Sequence, residues 1–130
     1  MPTLFKSEFA TLEHGVASRI VRVVRSNKQF DSAAFARAEV ARWSACLESL
    51  DFSELGLLLD WRLVPLATDP DVLKEVVSGT TKFGRRFAKH AVLFVSPLGE
   101  MQARRLQRMH ESDPEIFTDE SKAYAYVTAR

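Results

Sequence analysis

The spacing of hydrophobic positions changes several times along this chain, and each change marks an element. Phe9-Ala10-Thr11-Leu12-Glu13 and Val16 to Val24 read as two extended segments joined by a turn at His14-Gly15. Arg19 and Arg22 fall on opposite faces of the second segment, which suits an exposed or edge-proximal strand rather than a central one. Asp31 and Ser32 supply N-cap chemistry, and Ala36, Val40, Trp43, Leu47 and Leu50 then recur at helical spacing as one apolar stripe. Trp43 therefore belongs to the core. Leu55 to Asp60 is a continuous apolar run closed by a carboxylate, the signature of a strand buried on both faces.

Asp69 caps the next helix with Pro70 in its first position, where the missing N–H costs nothing. Leu73, Val76 or Val77, Thr80, Phe83 and Phe87 form its inner face, while Gly79 and Gly84 predict a bend or an early end. Ala91 to Val95 is a second buried strand. A helix from about Leu98 to His110 turns Leu98, Met101, Leu106 and Met109 inward. Glu115-Ile116-Phe117 is a short last strand, and Thr118 caps a final helix bearing Ala123, Tyr126 and Val127. The order β-β-α-β-α-β-α-β-α predicts an α/β fold: a single mixed, mainly parallel sheet of four to five strands with helices packed on it. The first strand is expected to be antiparallel at an edge. One domain is expected over residues 1–130, with its core at about 9–127.

Composition narrows the class without naming a function. With 130 residues, 46% hydrophobic and 27% charged, the chain is long enough to bury a core of its own. The lone Cys46 excludes an intrachain disulfide and has no flanking base to activate it, so it reads as packing. No run approaches the length of a membrane span, and the first residues lack the apolar segment of a signal peptide, so the expected address is cytoplasmic. The net charge of +1 hides segregation: bases outnumber acids between Asp71 and His110, and acids dominate beyond Glu111. Lys82, Arg85, Arg86 and Lys89 are the candidates for contact with an anionic surface.

No glycine-rich phosphate loop or nucleophile elbow is present, and His14, His90 and His110 read as surface residues away from metal-ligand spacing. No catalytic residue, metal site or cofactor is expected. The arginines are not interleaved with aromatic residues, so nucleic acid is not an expected partner. Asp60, Asp69 and Asp71 converge on the edge where open α/β sheets usually function. Capping explains Asp69 and Asp71. Asp60, placed directly after a leucine run, needs a donor, which Arg62 or loop N–H groups would provide.

The segments LGLLLDWR, KHAVLFVSP and EIFTDESKAYAYV resemble the core strands and closing helix of the STAS superfamily, in its SpoIIAA-like and SEC14-like branch. The resemblance implies the fold of anti-sigma-factor antagonists, whose regulatory members are phosphorylated at the helix start after the Asp-terminated strand. The matching positions here are Thr68-Asp69-Pro70-Asp71: Asp69 replaces the serine with a fixed charge, and Thr68 is a displaced acceptor. By this resemblance the chain is a non-enzymatic regulatory or protein-interaction module, docking through residues 63–76 with Asp60, Arg62, Thr68, Asp69 and Asp71 as its site. The expected partner is a kinase, an anti-sigma-like protein or another regulator, with a homo-oligomer left open. The alternative is a carrier of an apolar or lipid ligand whose basic surface meets a membrane.

Overall fold

The computed structural model describes residues 2–64, 69–95 and 114–129. Thr68 and the helix expected at 98–110, with Arg104, Arg105 and Arg108, lie outside the described residues. Six strands form one sheet: β1 (Thr3–Lys6), β2 (Ala10–Gly15), β3 (Ile20–Arg25), β4 (Gly56–Asp60), β5 (Lys89–Leu93) and β6 (Glu115–Phe117). They lie side by side in chain order. The first three are antiparallel neighbours, and β3 to β6 run parallel. Among the described residues the helices are α1 (Ala33–Leu47), α2 (Pro70–Gly84) and α3 (Glu120–Thr128).

The strand count exceeds the expected four to five because Thr3–Lys6 adds an outer strand to β2. β1 therefore takes the edge position expected for β2. The hairpin also turns later than expected. His14 and Gly15 pair with Val21 and Ile20, so the ladder continues through them and the chain reverses over Val16 to Arg19. Arg19 accepts a positive φ of 55° to make that reversal. β3 is interior, between β2 and β4, contrary to the expectation of an exposed or edge-proximal strand. Its arginines are accommodated there by pairing, as described below.

Strand alternation sorts the core into two layers. Val21, Val23, Leu57, Leu59 and Val92 face α1 and α2, where they meet Ala36, Val40, Trp43, Leu47, Val72, Val76 and Phe83. Ile20, Leu58, Ala91 and Leu93 face the opposite way, against Ala123 and Val127 of α3. Two successive crossovers of one hand in one direction place α1 and α2 on the same face, which is the arrangement observed. Each helix has a defined start. Ser32 Oγ accepts from the Phe35 N–H at 3.1 Å. Asp69 Oδ1 accepts from Asp71 and Val72 at 2.8 and 3.3 Å. Asp119, rather than Thr118, caps α3 by accepting from Lys122 at 3.1 Å.

Glycine sets two of the layer spacings. A Cβ on Gly79 would stand 2.5 Å from Val40 Cγ1, so the glycine lets α2 close on α1. A Cβ on Gly56 would collide with the backbone of Val127, so β4 and α3 touch through that position. α2 runs on through Gly79 and ends at Gly84. Two other expectations change. Phe87 lies beyond the helix but still reaches the core, edge-on to Phe52 with ring centroids 4.8 Å apart. His90, expected at the surface, is buried where β5 passes under α2.

Candidate functional site

Asp60 ends β4 on the face that Leu58 shares with α3, and it is only 3% exposed. A carboxylate there loses water and needs donors. It has three sources of them. Arg62 reaches back with Nε to Oδ1 at 2.9 Å and Nη2 to Oδ2 at 2.8 Å. The Arg62 backbone N–H adds a longer bond to Oδ1 at 3.3 Å. Arg22, from the neighbouring strand, gives Nη2 to Oδ2 at 2.7 Å.

Both guanidiniums then share a second carboxylate, Glu120 in the first turn of α3, at 2.9 Å from Arg22 and 3.1 Å from Arg62. Two cations and two anions thus join β3, β4, the segment after β4 and α3. Burial pushes the Asp60 carboxyl up, but the Arg62 and Arg22 hydrogen bonds outweigh it and hold it below the ordinary carboxylate range. The hydrogen bond from Arg22 likewise lowers Glu120. The Asp60 bond raises Arg62 above its ordinary value. Within the cluster two guanidiniums balance two carboxylates.

The structure therefore brings Asp60 and Arg62 together and adds Arg22 and Glu120, which sequence reasoning missed. Arg22 carried one signal, its place on a β-branched strand. Asp69 and Asp71 stand apart from this cluster. Both are exposed, and the Asp69 carboxylate is committed to the first turn of α2. Leu63, in the segment leading toward that helix, is 60% exposed.

The four basic candidates do not form one patch. Lys82 and Arg86 line an open groove of about 630 Å³ between α1 and α2, floored by Val40, Gly79 and Phe83. The Arg37–Glu75 ion pair, at 2.7 Å, links the two helices along it. Arg86 also lies over the Phe52 ring at 4.3 Å. Arg85 shares a separate surface hollow with Lys82. Lys89 instead sits 5.1 Å from the centre of the Tyr126 ring, on the α3 side.

A second buried acid was also missed. Glu39 on α1 accepts from the Trp43 indole at 2.8 Å and from Ser7 Oγ at 2.7 Å, and pairs with Arg42 at 3.2 Å. Its position four residues before Trp43, on the same helix face, was the available signal. Cys46 donates to the Leu4 carbonyl at 3.3 Å, and burial pushes its thiol up. Among the described residues, no three His, Cys, Asp or Glu side chains come together to hold a metal ion. Among those residues, too, no helix is long and apolar enough to cross a membrane.

An uncharacterized protein of the DUF3478 family from Shewanella loihica PV-4, described as having a SpoIIAA-like fold, superposes on this chain with a TM-score of 0.61. The match covers 95% of this chain and 98% of that one at 14% identity. The chain has a SpoIIAA-like fold. At this identity the likeness carries the architecture and no residue role. No protein-family model matches the sequence, and no curated protein matches it. In the SpoIIAA-like frame, the Arg22–Asp60–Arg62–Glu120 cluster lies at the carboxyl end of β4 and is braced by Arg22 from the middle of β3, and the capped start of α2 follows Arg62 in the chain.

Proposed function

We propose that this SpoIIAA-like chain is a non-enzymatic regulatory or interaction module that docks a protein partner through the segment and helix start spanning residues 63–76. The observation that carries this reading is the α2 amino terminus itself. An exposed Leu63 precedes a helix start where Asp69 and Asp71 present two carboxylates to solvent. The Asp69 cap holds that start in one geometry. A fixed, charged helix end beside an exposed apolar side chain suits recognition of a partner, and Asp69 supplies permanently the charge that a phosphorylated residue would supply on demand. An anti-sigma-like protein or a kinase fits as the partner class.

The core supports docking over carriage of an apolar ligand. Such a ligand needs a cavity of at least about 300 Å³. Between the sheet and α2, two cavities lined by described residues measure about 10 and 20 Å³. The larger groove between α1 and α2 is open to solvent, with Arg37, Glu75, Lys82 and Arg86 around its apolar floor.

Asp69→Ser keeps a cap and removes the charge, so the melting temperature should hold while partner capture changes. Asp69→Ala should lose both, with a cost of about 1 kcal/mol. The measurement is partner capture from the native extract by the three proteins, with thermal melts alongside. Equal capture by all three would leave Asp69 as a cap alone and remove the docking site.

A further inference from the structure

Three arginines stand at or near the carboxyl ends of β3 and β4. Arg22 and Arg62 share Asp60 and Glu120. Arg25, the last residue of β3, has a different environment. It is 4% exposed and points to the α1 and α2 side of the sheet, over the rings of Phe30 at 4.6 Å and Trp43 at 5.8 Å. Its hydrogen bonds go to two neutral carbonyls, Phe9 at 3.2 Å and Lys28 at 3.5 Å. Among the described residues no carboxylate pairs with it. Glu39 acts on it only through space, being committed to Ser7, Trp43 and Arg42. Burial pushes the guanidinium down to about 10, the direction expected of a cation short of compensation.

A second observation is independent of that charge. The indole N–H of Trp61, just past β4, is buried and has no hydrogen-bond partner among the described residues, in a side chain 3% exposed. A buried donor left unsatisfied is costly and calls for an explanation. Arg25 and Trp61 line the same small cleft, together with Phe30, Val64, Val72 and Leu73. The last two belong to the first turn of α2, so the cleft lies where two parallel strands end and a helix begins, the usual ligand crevice of open α/β sheets.

We propose that this cleft binds a carboxylate, one of whose oxygens enters beside the Arg25 guanidinium and the Trp61 indole N–H. The space, about 10 Å³, is that of a single oxygen-sized atom. The planar guanidinium suits a carboxylate, and the indole N–H supplies a further donor to its oxygen. The carboxylate comes from a free small acid or from an acidic side chain presented on a peptide. This site stands independently of the docking reading, which rests on Asp69 and Leu63.

The chain has two tryptophans, so its indole N–H signals in a ¹⁵N–¹H spectrum number two. Trp43 already donates to Glu39 and serves as the internal reference. Titration with acetate, and separately with a capped glutamyl tripeptide, at constant ionic strength should move the Trp61 signal saturably and leave the Trp43 signal in place. Trp61→Phe assigns the signal. Arg25→Gln should weaken binding at least tenfold. Tighter binding of acetate identifies a free acid as the ligand, and tighter binding of the peptide identifies a side chain. A flat wild-type titration with both probes overturns the site, whether or not Arg25→Gln folds. Undiminished binding by a folded Arg25→Gln overturns it as well. So does an equal shift with chloride, which would mean an adventitious ion only.

Discussion

At the scale of single residues, Asp60 shows how one buried charge recruits its surroundings. Its folded carboxyl is held below the unfolded value, so its contribution is complete above about pH 4 and is lost as the pH falls through the folded value. Glu120 is shifted in the same direction. Asp60→Asn should therefore destabilise by about 3 kcal/mol at neutral pH, because it leaves two guanidiniums sharing one exposed acid. The deficit should shrink below pH 4 as the wild-type carboxyl takes up its proton. Urea melts of both proteins at pH 7, 5 and 3 measure this. A deficit that stays constant with pH would show that packing, not charge, is what the variant loses. The need for a donor was legible in the leucine run ending at Asp60, and Arg62 was close enough in the chain to nominate. Arg22 was not, because it is brought to Asp60 by the β3–β4 register, which pairs Arg22 with Leu58 and leaves Asp60 diagonal to it on the same face. A single strand pattern contains no information about its neighbour's register.

At the scale of elements, α1 and α2 were readable from their apolar period and their caps, because both signals are local. What joins them was not. Gly79 costs α2 about 1 kcal/mol of helix propensity relative to alanine, and sequence reasoning could see only that weakness. In the fold its bare Cα is what admits Val40. Gly79→Ala should gain propensity yet destabilise overall by about 1–2 kcal/mol, since the new Cβ meets Val40, which is stiff at χ1 and must shift to admit it. Pairing it with Val40→Ala should recover most of that loss, and a double-mutant cycle by denaturant unfolding checks the coupling. The hairpin failed for the opposite reason. His14-Gly15 looks like a turn in isolation, but pairing with Ile20 and Val21 keeps both residues in the ladder and expels the apolar Val16 into the reversal.

At the scale of the whole molecule, alternation along β4 divides three adjacent leucines between two layers, and the division is testable. Leu58→Ala should cost about 2–5 kcal/mol and loosen α3 selectively, because Leu58 packs with Ala123 and Val127 while Leu57 and Leu59 face the other helices. Hydrogen exchange should rise in α3 before it rises in α1; uniform loosening would contradict the two-layer reading. The parallel centre of the sheet was legible because strands buried on both faces announce themselves by composition. β1 was not, since two half-buried residues between two exposed ones, with a register shift against β2, carry no period to read. Its consequence appears in time rather than in space. Because the six strands lie in the order in which they are made, every strand after the first finds its neighbour already synthesised, and none must wait for a later segment to be inserted between them. Assembly in chain order therefore needs no strand to be displaced, and Glu120 is made after the two arginines and the aspartate that it joins.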